Sequence, residues 1–233
     1  MGLTITWYGH STFLLTTPGG KRLMFDPWLG TNPACPEALK KPPAVDLLLI
    51  SHGHSDHADD AVAVARAGTP VVVACYELCM WLQGKGVQAV SPMNKGGSQD
   101  LLGLTVTMTD ARHSSAWIES DGSITYLGDP AGFLVRLEDA ITIYFAGDTS
   151  LFGDMGLIGE IYRPDIAFLP IGDRFTMGPR EAARAAEMLR VRQVVPMHFG
   201  TFPLLTGTSA ELKPLLDARG IQMLELRPGE TAS

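Results

Sequence analysis

The sequence predicts a single α/β domain over residues 1–233, built from two similar strand-rich halves. Short apolar runs bounded by glycine, proline or aspartate recur along the whole chain, which is the pattern of many short strands joined by turns. Alanine-rich and amphipathic stretches of helical length fall between them, as expected of layered α/β architecture. Nothing resembles a linker. The only long irregular stretch is 32–43, which holds Pro33, Pro36, Pro42 and Pro43 and reads as a flap beside a site.

Taken in order, 3–8, 12–16 and 22–25 read as three successive strands, with Pro18-Gly19-Gly20 as the second turn. Residues 46–51 form a continuous apolar run, as in a strand buried on both faces. A helix over 57–67 closes at Gly68, followed by a strand at 71–74, a short helix at 76–83 and a strand at 87–90. The second half repeats the style, with strands at 104–109, 124–127, 133–137, 141–146, 166–169, 194–197 and 221–226. Its helices fall at 151–161, 179–189 and 210–218. Pro179 suits a first helical position and Gly220 a stop.

Composition narrows the function. Acidic residues outnumber basic ones 25 to 18, for a net charge of −7, and no run of Lys or Arg forms a stripe. Nucleic acid and anionic membrane are therefore not expected partners. No apolar run reaches the length of a membrane span, and the N-terminus lacks the pattern of a signal peptide. Cys35, Cys75 and Cys79 form no CxxC pair and read as reduced core thiols. A cytoplasmic location is the expectation.

The chemistry is carried by histidines. His10, His52, His54, His57, His113 and His198 each lie at or just past the end of a predicted strand, where loops converge in layered folds. The central motif is Ser51-His52-Gly53-His54-Ser55-Asp56-His57, between a buried strand and a helix. An extended backbone points His52 and His54 the same way, and the turn into the helix directs Asp56 and His57 elsewhere. Two pairs of ligands suit two adjacent metals better than one, and imidazole with carboxylate suits zinc, iron or manganese. His113, Asp148 (in Gly147-Asp148-Thr149) and His198 follow later strands and complete a binuclear set.

This pattern resembles the metallo-β-lactamase superfamily. The resemblance rests on HxHxDH at 52–57, an isolated His113, Gly147-Asp148 and a late His198. It extends to Gly9-His10-Ser11-Thr12, Phe25-Asp26-Pro27-Trp28, His113-Ser114-Ser115 and the stretch 169–179, which together are similar to a "metal-dependent hydrolase" branch related to ascorbate-phosphate lactonase and N-acyl-phosphatidylethanolamine phospholipase D. The resemblance implies a four-layer αβ/βα sandwich. It implies one metal on His52, His54 and His113, a second on Asp56, His57 and His198, and Asp148 bridging them. True β-lactamases of the superfamily usually carry Cys where Asp148 stands.

The function expected is a binuclear hydrolase acting on a small ester-, lactone- or amide-type substrate, with phosphodiester cleavage as the alternative. Its cofactors are two divalent ions, zinc first, with manganese or iron as alternatives. A metal-bridging hydroxide attacks, and Asp56 and Asp148 orient it and shuttle its proton. His10 reads either as a proton donor or partner beside the site or as an imidazole tying two loops together. Asp26 reads as a partner of a ligand histidine or as a turn residue before Pro27. Asp173, Phe175 and Thr176 are candidate substrate contacts, with Thr201 and Phe202 on a second facing loop. The four tryptophans read as core or interface. Self-association into a homo-oligomer is left open.

Overall fold

The computed structural model describes residues 2–233. In the first half β1 (Thr4–Gly9), β2 (Thr12–Thr16) and β3 (Arg22–Phe25) form an antiparallel meander, and β4 (Leu47–Leu49) and β5 (Val71–Val73) extend it in parallel. The helices here are α1 (Ser55–Ala58), α2 (Ala61–Gly68) and α3 (Tyr76–Gly84). The second half begins with β6 (Ser98–Leu101), β7 (Leu104–Asp110) and a separate hairpin of β8 (Ala116–Ile118) and β9 (Ile124–Tyr126). It continues through β10 (Ala131–Arg136), β11 (Thr142–Phe145), α4 (Met155–Tyr162), β12 (Ile166–Pro170), α5 (Pro179–Leu189), β13 (Gln193–Met197), α6 (Ser209–Asp217), β14 (Gln222–Met223) and β15 (Thr231–Ala232).

The two halves share one plan, an antiparallel meander that turns parallel. The first sheet runs β15-β1-β2-β3-β4-β5 and the second β14-β13-β12-β11-β10-β7-β6. All three residues of β4, and Ala167 to Pro170 in β12, are buried, so each sheet is covered on both faces. One face of each meets the other sheet. Phe25 stacks on Phe145 with centroids 4.5 Å apart, and Phe13 meets Phe168 edge-on at 4.8 Å. All four rings are fully buried. Burying each contributes roughly 1.5–3 kcal/mol. On the outside of the second sheet α5 packs between α4 and α6. The result is the αβ/βα sandwich. No helix among the described residues is long and apolar enough to cross a membrane.

Strand direction positions the site. Because β1 and β3 both run against β2, and β3, β4 and β5 are parallel, the C-terminal ends of β1, β3 and β4 share one edge. The same reasoning places the ends of β7, β11, β12 and β13 together in the second sheet. Every histidine follows one of these ends. The two edges are stitched where His198 N donates to His10 O at 3.1 Å.

Several expectations change. The helix expected over 57–67 is two helices broken at Asp59-Asp60. The break has a cause: Asp60 Oδ2 accepts Leu29 N and Gly30 N, and Asp59 Oδ2 accepts the Thr31 hydroxyl. The strand expected at 87–90 reduces to a single bridge, Val72 to Val90. The helix expected from 151 begins at Met155, and 221–226 shortens to β14. Strands β6, β8 and β15 are additions to the elements expected from the sequence. Segment 32–43 contains only a 3-10 turn, Glu37–Leu39, and packs on the Gly9 and Gly229 turns instead of walling the cleft described next.

Candidate metal centre

The central motif is shaped by what surrounds it. After β4 the chain stays extended through Ser51, whose backbone N–H donates to Asp26 Oδ1 at 2.7 Å. Gly53 lies against Leu127, where a Cβ would collide with the leucine side chain. His54 is the extended residue that starts α1, and its carbonyl accepts both His57 N and Ala58 N at 3.0 Å. The first two histidines thus share an extended segment, and one helical turn sends Asp56 and His57 the other way. His10, Asp26 and His198 all hold positive φ, at 57°, 44° and 54°. Side-chain-bearing residues seldom adopt that region, and such outliers gather at functional sites.

Two groups of ligand atoms result. His52 Nε2 lies 3.0 Å from His54 Nδ1, and the His113 ring stands 5.2 Å from His52 and 5.1 Å from His54. In the second group, Asp56 Oδ2 lies 3.8 Å from both His57 Nε2 and His198 Nε2. Asp148 Oδ2 stands between the groups, 2.8 Å from His198 Nε2, 3.3 Å from His57 Nε2 and 3.7 Å from His113 Nε2. All seven predicted ligand residues are therefore brought together, with one carboxylate oxygen common to both sets.

The donor set fits divalent cations. Burial, with neighbouring imidazoles, pushes His52 well below its ordinary pKa and lowers His54 and His113, so these three are neutral and free to ligate. Burial works against ionised Asp148 and Asp56, yet the surrounding imidazoles outweigh it and hold both carboxyls well below the usual carboxylate range. Burial likewise opposes charge on His57 and His198, but the same carboxylates lift His57 well above its ordinary value and His198 to about 9. Those protons stand where a cation would. His57 Nε2 and Asp148 Oδ1 are buried without a hydrogen-bond partner, which a bound cation would satisfy.

His10 lies behind this constellation and is fully buried. Its Nε2 meets Asp56 Oδ2 at 3.1 Å and its Nδ1 meets the Thr201 hydroxyl at 3.0 Å, while burial lowers its pKa to about 4. Asp26, also buried, takes His57 Nδ1 on Oδ2 at 2.7 Å; burial raises its carboxyl against the pull of His57 and Ser51.

An open cleft of about 270 Å³ exposes His54, Asp56, His113, Asp148 and His198, with Ser114, Phe175 and Phe202 around them. Of the three candidate substrate contacts Phe175 lines this cleft. Asp173 is exposed, with Oδ1 accepting Arg174 N, and Thr176 donates to Met177 O at 3.3 Å; neither lines the cleft. Phe202 is anchored against His10 and Trp28. Sequence reasoning misses Ser51 and Ser114 as members of the site. Ser51 joins Asp26 to His52, and Ser114 lies 3.4 Å from His54 Nε2.

Known proteins resemble this chain along its whole length. A family model described as the Beta-lactamase superfamily domain matches residues 21–199. A UPF0173 metal-dependent hydrolase of Koribacter versatilis is 48% identical over 232 residues, covering 100% of this chain and 98% of that protein. Among solved structures, Igni18, a metallo hydrolase from the hyperthermophilic archaeon Ignicoccus hospitalis, superposes with a TM-score of 0.86 at 33% identity, covering 99% and 97% of the two chains. An isothiocyanate hydrolase from Delia radicum gut bacteria gives 0.77 at 25% identity, covering 99% and 98%.

Proposed function

Since this chain belongs to the UPF0173 metal-dependent hydrolases of the beta-lactamase superfamily, we propose that it is a binuclear hydrolase cleaving a small ester-, lactone- or amide-type substrate. The observation that carries the two-cation reading is Asp148 Oδ2, within 3.7 Å of imidazoles from both ligand sets. His52, His54 and His113 would hold one ion, Asp56, His57 and His198 the other, and Asp148 both. Zinc is the first candidate, with manganese or iron as alternatives for the same donors. Bound there, a divalent pair supplies a nucleophilic water acidified to near neutrality and a Lewis acid for the substrate oxygen.

The chain's own groups do the rest. Asp56 and Asp148 are both ionised and both line the cleft, and Asp56, the more exposed of the two, receives the nucleophile's proton. His10 is shut off from the cleft and acts through Asp56, holding its Oδ2 from behind. Phe175 and Phe202 flank the cleft and shield the reacting atoms from water. A cleft of about 270 Å³ suits a small molecule. The isothiocyanate hydrolase supports a carbon electrophile, because hydrolysing an isothiocyanate requires attack on its central carbon.

A panel of lactones, esters, amides and bis(p-nitrophenyl) phosphate, run on zinc- and manganese-loaded protein, tests the reading. Turnover of a carbon-centred substrate that disappears in Asp148→Ala is expected. Turnover of the phosphodiester alone would overturn the substrate assignment, and unchanged turnover in Asp148→Ala would remove that residue from the mechanism.

A further inference from the structure

One hydrogen-bonded chain runs beneath both ligand sets, from His52 through Ser51 and Asp26 to His57. Ser51 Oγ lies 2.6 Å from Asp26 Oδ2 and 2.9 Å from His52 Nδ1, and His57 Nδ1 lies 2.7 Å from the same Asp26 oxygen. Asp26 Oδ1 is occupied by Ser51 N–H at 2.7 Å. His52, His57 and Asp26 are fully shielded from solvent and Ser51 is 1% exposed, so water cannot replace any member.

The protons of this chain have one self-consistent arrangement with an ionised Asp26. A carboxylate only accepts, so the Ser51 hydroxyl must give its single proton to Asp26. Having done so, Ser51 Oγ can only accept from His52, which requires a proton on His52 Nδ1. The Asp26 oxygen requires a proton on His57 Nδ1 for the same reason. Both imidazoles are then left with Nε2 for the cleft, the nitrogens that approach His54 Nδ1 and Asp148 Oδ2. The carboxylate is spent on these donors, so Asp26 is not free to ligate although it lies close to both rings.

Local packing locks the geometry. Asp26 holds its left-handed backbone through Asp26 N donating to Leu49 O at 3.0 Å. Ser51 O accepts Ala131 N at 2.9 Å, and the Gly147 backbone closes over the Ser51 side chain so tightly that a Cβ there would lie 2.8 Å from Ser51 Cβ.

We propose that Ser51 is a positioning residue of the metal centre: its hydroxyl, together with the Asp26 carboxylate, fixes the tautomers of His52 and His57, one imidazole in each ligand set. The proposal rests on the reading of these two histidines as cation ligands. Groups that orient a ligating histidine through its other nitrogen typically govern metal affinity by roughly 10–100-fold.

The test pairs zinc affinity, measured against a chromophoric chelator, with long-range proton–nitrogen NMR of the imidazoles. In wild type His52 is expected to carry its proton on Nδ1, with and without zinc, and His57 to keep an Nδ1 proton in the zinc-loaded protein. Ser51→Ala is expected to lose the fixed His52 tautomer and about 10–100-fold in affinity at the His52 site. Asp26→Asn, whose amide donates where the carboxylate accepted, is expected to weaken both sites. A wild-type His52 protonated on Nε2 overturns the proposal even where no variant folds. Wild-type affinity and tautomer in Ser51→Ala overturn it alone, whereas failure of the wild type to bind zinc overturns the metal reading beneath it.

Discussion

Gly147 delivers Asp148 to the centre, and replacing it by alanine separates backbone strain from packing. Its φ is +62°, and a Cβ there would meet the Ala131 carbonyl oxygen at 2.7 Å and Ser51 Cβ at 2.8 Å. Holding an L-residue in the left-handed region costs about 1–2 kcal/mol. Crowding a packed interior costs about 1–3 kcal/mol more, so Gly147→Ala should lose about 2–5 kcal/mol. Gly220 is the matched control. Its φ is +66° and an added Cβ would find nothing within 4 Å, so Gly220→Ala should lose only the first contribution. At about 2–4 °C per kcal/mol for a chain of this length, melting should fall by roughly 2–8 °C in Gly220→Ala and by roughly 4–20 °C in Gly147→Ala. Metal content should also fall only in Gly147→Ala, because relief of the clash moves Asp148. Differential scanning calorimetry with elemental analysis checks both readouts. Equal melting shifts in the two variants, or full metal retention in Gly147→Ala, would refute the reasoning.

Phe25→Ala removes the ring stacked between the sheets and should cost about 3–5 kcal/mol, read by chemical denaturation; a loss under about 1 kcal/mol would show that the sheets do not depend on this contact. His57 and His198 are protonated near neutrality without metal, the latter up to about 9, because Asp148 and Asp56 outweigh the burial that opposes their charge. Zinc must displace those protons, so binding at pH 7 should release them and tighten as pH rises towards about 9. Calorimetry in buffers of different ionisation enthalpy measures the release, and pH-independent affinity would contradict it. Burial raises Cys75 and pushes the Cys35 and Cys79 thiols up to about 11 and about 12, so no thiol should react rapidly with Ellman's reagent until the protein unfolds.

Most of the site is legible in the sequence because its residues announce themselves locally. His52, His54, Asp56 and His57 share one short motif, and His113, Asp148 and His198 each follow a stretch, alternating with threonine before His113 and mainly apolar before the others, that becomes a buried strand. The partners of these residues are less legible. Ser51 reads as any serine at a strand end, and only the fold brings it against Asp26, 25 residues away. Asp26 is ambiguous because a turn aspartate before proline looks the same in either role. Strand β6, Ser-Gln-Asp-Leu, carries no apolar alternation, since it is an edge strand paired only with β7. Strand β15 exists through pairing with β1 at the opposite end of the chain, which no local pattern encodes. The break at Asp59-Asp60 is likewise tertiary, since side chains that elsewhere ride a helix are claimed here by the 29–31 loop.

The account turns on whether side chains that follow β4, β7, β11 and β13 enclose two cations about a shared Asp148. Protein purified without added metal and then reconstituted with zinc should hold two equivalents per chain by elemental analysis, falling by at least one in Asp148→Ala. One equivalent or none after reconstitution of the wild type would contradict it.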